Sequence, residues 1–117
     1  MKRIFLLSTL LCLNLSLLAG CGNKAPGCSD EETKNLVIQI ARGELIKVFG
    51  KENADKLKLT LEFIRTKEVN KDTGSCDCAA DLVITGPDGS KSEKIPITYT
   101  SELTDKKDQF YVTVYGL

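Results

Sequence analysis

The residues able to do chemistry are few, and the chain contains no histidine. Without an imidazole there is no Ser–His–Asp or Cys–His nucleophile system and no His-containing metal site. Cysteine is the reactive type that remains, at Cys12, Cys21, Cys28, Cys76 and Cys78. Cys76 and Cys78 are two residues apart, so on a strand both face the same side. With Cys28 they could form a disulfide, collect a soft ion such as Cu(I) or zinc, or cycle as thiols. Redox cycling calls for Cys-x-x-Cys at a helix start, which Cys-x-Cys on a strand does not provide. A metal set lacks a fourth ligand, because no second Cys pair completes it. The carboxylates are scattered. Asp77 and Asp81 share one side of a strand but lie roughly 13 Å apart, too far for a shared acid–base pair. Gly86-Pro87-Asp88-Gly89 is turn chemistry and no phosphate cradle. The expectation is therefore no enzyme, no cofactor and no bound metal.

These residues need elements to position them. Ser29-Asp30-Glu31-Glu32 fits a capping box, with Ser29 as N-cap and Glu32 three residues on. Leu36, Val37, Ile40, Ala41, Leu45, Val48 and Phe49 follow at helical spacing, and Gly50 stands where a terminal glycine would end the helix. This predicts one helix over residues 30–49. Gly43 inside it costs about 1 kcal/mol relative to Ala, which a close approach to a sheet would explain. The rest reads as strands. Leu57, Leu59, Leu61 and Phe63 alternate with polar residues. So do Cys76, Cys78, Ala80, Leu82 and Ile84, and then Ile95, Ile97 and Tyr99. Residues 110–115 form the last strand. Asn70 to Gly74 and Gly86 to Gly89 are turns, residues 105–108 a polar loop. Pro96 cannot donate to a ladder and needs an edge or a bulge. One helix followed by four closely connected strands predicts an α+β domain, the helix covering one face of an antiparallel meander.

Composition adds exclusions. The chain has 117 residues, 16 basic and 16 acidic, which is enough for one domain. Lys2 and Arg3 lie in the N-terminal segment. Without them the remainder is slightly acidic and has no electrostatic reason to bind nucleic acid or anionic lipid.

Met1-Lys2-Arg3 is a positive start, and an uncharged Leu-rich run, shorter than a bilayer span, follows to Leu18. Small residues close it. This is the pattern of a cleaved export signal. Leu18-Ala19-Gly20-Cys21 resembles the lipobox of bacterial lipoproteins. The resemblance covers residues 1–21 and implies cleavage after residue 20. It also implies a diacylglyceryl thioether on Cys21 and an acylated (palmitate-type) amino group, a stable membrane anchor. Gly rather than Asp at position 22 implies outer-membrane sorting, facing the periplasm, if the host is Gram-negative. Residues 21–27 then read as a lipidated tether reaching at most about 20 Å, and residues 28–117 as the single domain.

An exported domain is permitted disulfides. Cys12 leaves with the signal and Cys21 carries lipid. Cys28 is expected to pair with Cys76 or Cys78, pinning the helix start to the sheet. Closing a loop of about 50 residues contributes about 4 kcal/mol. A Cys76–Cys78 bond is disfavoured on a regular strand. The odd thiol is left either buried or bridging to a second chain.

The order of elements resembles the cystatin-like and NTF2-like folds, in which a curved sheet wraps a helix. The Gln-x-Val-x-Gly loop of cystatins is absent, so their inhibitory activity is not implied. Tyr111 and Tyr115 share one side of the last strand and, with Ala79 and Val83, would pave the outer sheet face as a contact surface. The expected function is a non-catalytic, membrane-anchored accessory module that binds a protein partner, resembling envelope-assembly subunits and exclusion lipoproteins. The alternative is a pocket protein holding a small ligand or metal between helix and sheet.

Overall fold

The computed structural model describes residues 24–89, 91–106 and 108–117. The lipobox, Cys21 and the segment before it lie outside the described residues. Helix α1 (Glu31–Phe49) is followed at once by a short helix α2 (Lys51–Asp55), and then by strands β1 (Lys58–Val69), β2 (Cys76–Thr85), β3 (Ser92–Leu103) and β4 (Phe110–Tyr115). The strands pair in sequence order, each antiparallel to the next. This is the expected α+β architecture, a helix laid on one face of a four-stranded meander.

Leu36, Val37, Ile40 and Ala41 of α1 are buried against Leu59, Ala80, Leu82, Ile97, Tyr99, Phe110 and Val112. Burying each large side chain contributes about 1.5–3 kcal/mol, and this layer holds the helix to the sheet. Leu45 is the last of the apolar stripe to reach it; Val48 and Phe49 in the final turn are exposed. Gly50 ends α1 with φ +85°, its N–H bonded to the Ile46 carbonyl. That is the left-handed region glycine favours. The five residues of α2 carry too little periodicity to be foreseen. Arg42 fastens α2, its guanidinium donating to the Ala54 carbonyl at 2.7 Å and the Leu57 carbonyl at 3.1 Å.

The start of α1 differs from the capping box. Asp30, not Ser29, occupies the N-cap, and no side chain caps the first turn. The Asp30 carboxylate instead accepts from the Gly27 N–H at 2.8 Å, closing the turn that delivers Cys28 to the sheet. Glu31 and Glu32 still lie in the first turn, where the helix dipole favours acids. Gly43 does not approach the sheet either: a Cβ there would meet nothing within 4 Å. Gly43→Ala should therefore raise stability by about 1 kcal/mol, read as a higher urea midpoint at unchanged slope. A lower midpoint would show that the position needs its glycine.

Strand β1 departs from strict alternation. A bulge between Glu62 and Arg65 sets Phe63 and Ile64 together opposite Ala80. Phe63 takes φ +53° and is 65% exposed, while Ile64 packs on the core in its place. An extra residue reverses the facing of everything after it. Pro96 lies where β3 pairs with β2 but has run beyond β4, whose last partner on β3 is Thr98. That is the edge position its missing N–H requires.

The β1–β2 turn anchors the chain ahead of α1. Asn70 Oδ1 accepts from the N–H groups of Asp72 and Thr73. Gly74, at φ +78°, leaves room for Lys24 and Ala25: a Cβ there would stand 2.8 Å from the Lys24 Cβ. Ala25 is buried and its N–H donates to the Thr73 carbonyl at 2.8 Å. Residues 24–27, expected within the tether, thus lie against the domain.

Candidate functional site: sulfur cluster and outer sheet face

Cys76 and Cys78 point inward from the first residues of β2, in the same series as Ala80 and Leu82. Cys28 reaches them from the turn before α1. The bond forms between Cys28 and Cys78, with Cα atoms 5.7 Å apart. It joins the helix start to the second strand, and the pairing left open by the sequence is settled in favour of Cys78. Cys76 is a free, buried thiol. Its sulfur lies 3.7 Å from that of Cys78 and 3.8 Å from the Pro26 carbonyl.

Burial pushes the Cys76 pKa up, the Asp77 and Asp30 carboxylates push the same way, and a backbone hydrogen bond from Ser101 opposes them. A thiol held protonated is a poor nucleophile toward the neighbouring bridge. The cluster is therefore built to be inert in its bridged form.

Tyr99 belongs to this site, and the sequence reading did not single it out. It is fully buried on the inward face of β3, and its hydroxyl donates to the Cys28 carbonyl at 2.9 Å. The available signal was its position: a tyrosine in an inward series with Ile95 and Ile97 must find a partner for its hydroxyl. Burial first, and then the Cys76 sulfur, push its pKa up to about 12. The phenol stays a neutral donor at every ordinary pH.

The outer face of the sheet carries the two predicted contact residues. Tyr115 is 56% exposed, and Tyr111, on the same side of β4, is half-buried. Ala79 and Val83 do not join them as exposed surface, since both are buried. They sit on an inner strand, where long neighbours overhang short side chains. Lys94, directly across from Val83, extends over the face to within 5.4 Å of the Phe63 ring centre. Beside Tyr115 lie two adjoining shallow depressions of about 380 and 350 Å³, sharing Glu68, Asp77, Thr100 and Tyr115 in their walls. Glu68, Asp77 and Thr100 stand in one cross-strand row of the outer face. Asp77 and Asp81 remain on separate rows, as the strand spacing requires.

The inward face offers little to a small polar ligand. Among the described residues, Thr33 and Ser101 are its buried polar side chains. Among the described residues no helix is long and apolar enough to cross a membrane. The chain matches no protein-family model, no curated protein and no solved structure.

Proposed function

We propose that the protein is a lipid-anchored envelope lipoprotein whose domain binds a protein partner and catalyses nothing. Lipid on Cys21 holds it to the membrane, at the periplasmic side of the outer membrane if the host is Gram-negative. Its role is that of an accessory subunit in envelope assembly or exclusion, built on a cystatin-like arrangement of helix and sheet. The observation that carries the partner reading is the outer face. There an exposed tyrosine stands between polar hollows on a sheet stiffened by four paired strands and a disulfide. Aromatic side chains that bury much area at low entropic cost are the usual anchors of such contacts. The small-ligand alternative has less behind it, because the layer between helix and sheet is filled with apolar side chains.

Replacing Tyr111 and Tyr115 together by Ala should reduce crosslinked capture of the partner in intact envelopes at least tenfold, the loss of about 1.4 kcal/mol or more expected of hot-spot residues. The urea midpoint of the isolated protein reports whether the fold survives. Undiminished capture by a folded double variant would remove the outer face from the account.

A further inference from the structure

The bridge uses two sulfurs, yet the fold gathers three. Sγ of Cys28, Cys76 and Cys78 all lie within 4.8 Å of one another, and all three residues are buried. No His, Asp or Glu joins this cluster among the described residues. We propose that, once the Cys28–Cys78 bond is reduced, these three sulfurs form a site for a single soft monovalent ion, Cu(I).

The geometry is nearly in place. Three sulfurs bound in a plane at about 2.3 Å from a metal stand about 4 Å apart, and Cys76 and Cys78 already stand 3.7 Å apart. Both project from one face of β2, whose pairing to β3 runs without irregularity past each of them. Cys28 does not depend on the disulfide alone to stay near. Its carbonyl is held by the Tyr99 hydroxyl at 2.9 Å. The preceding segment is tied to the β1–β2 turn through Ala25 and Thr73. Cutting the bond therefore releases a sulfur, not a ligand-bearing segment. The donor set selects the ion: thiolates favour Cu(I), whereas a structural zinc takes four ligands and the cluster supplies three.

The chemistry balances with one external partner, a dithiol. The dithiol gives two electrons and two protons to the Cys28–Cys78 bond and leaves as its own disulfide. Cu(I) then displaces the three thiol protons to solvent, and no electron moves in that step. Bridge and ion are alternative ways of fastening the helix start to β2. The oxidised form holds the disulfide and no copper; the reduced form holds copper.

The test uses the mature protein extracted in detergent, reduced with a phosphine under anaerobic conditions and titrated with Cu(I) against a chromogenic copper chelator. One equivalent should be retained per reduced chain, with three sulfur neighbours by X-ray absorption, and none by the oxidised chain. Cys76→Ser keeps the residues of the native bridge and should hold the ion at least tenfold more weakly when reduced. Melting the reduced chain gives a second reading: one equivalent of Cu(I) should raise the Tm. Equal retention by wild type and Cys76→Ser, two sulfur neighbours in place of three, or an unchanged Tm would overturn the site.

Discussion

Cys28→Ser should lower the stability of the domain by about 4 kcal/mol, the loop-closure contribution of a bridge spanning 50 residues. That is a large share of the 5–15 kcal/mol typical of a domain. The three cysteines should not behave alike. Cys28 has no substitute, because the pair left behind, Cys76 and Cys78, stands i and i+2 on one strand, a poor geometry for a bond. Cys78→Ser leaves Cys76, whose sulfur lies in the same cluster and within reach of Cys28. This variant should re-form a helix-to-sheet bridge and lose visibly less. Cys76→Ser removes no bond and should stay within about 1 kcal/mol of wild type. Urea unfolding of the three variants without reductant, with peptide mapping of the bridges, checks the order. If Cys28→Ser and Cys76→Ser lose equal stability, the bridge contributes little.

The second large effect is at Tyr99. Tyr99→Ala removes a fully buried ring and should cost about 3–5 kcal/mol, as large-to-small aromatic changes in cores do. Tyr99→Phe keeps the ring and removes only the donor to the Cys28 carbonyl. It should cost about 1–3 kcal/mol, the penalty for leaving a buried acceptor unpaired. The phenol also sets a pH dependence. Its pKa is raised in the fold to about 12 from an ordinary 10.0. Above pH 10 the unfolded chain therefore loses this proton while the folded chain keeps it. The stability it contributes is complete below pH 10 and is lost as the pH climbs toward 12, by roughly 3 kcal/mol in all. Tyr99→Phe should flatten that part of the curve. An equal alkaline loss in the variant would place the effect elsewhere.

Much of this arrangement was legible in the sequence because it depends on local pattern. The alternation from Cys76 to Ile84 fixes which side of β2 faces the helix, and the structure keeps it. The turn residues Asn70 to Gly74 and Gly86 to Gly89 do what their types dictate. Where the pattern misled, a local alternative intervened. Phe63 continued a period-two series that the bulge at Glu62–Arg65 interrupts, and no residue there announces a bulge, since Phe is not a residue that favours positive φ. Asp30 and Ser29 are both good caps, and the Gly27 N–H, an unpaired backbone donor nearby, decided how the Asp30 carboxylate is used. Val48 and Phe49 have helical spacing, yet spacing cannot say where the opposing sheet stops. The choice of Cys78 over Cys76 is tertiary as well. Both face inward, and only the path of the chain through Gly27 and Asp30 decides which one Cys28 meets.

The account rests on a chain held to the membrane through Cys21, with Cys28 and Cys78 bonded and Cys76 alone as a thiol. Intact mass of the protein extracted from its own membrane, before and after alkylation under native and unfolding conditions, reads all of this at once. The expected species begins at residue 21 and carries diacylglyceryl and acyl mass. It takes no alkyl group while folded and one when unfolded, and two more after reduction. An unlipidated chain, a chain that retains residues 1–20, or a reducible dimer through Cys76 would contradict it.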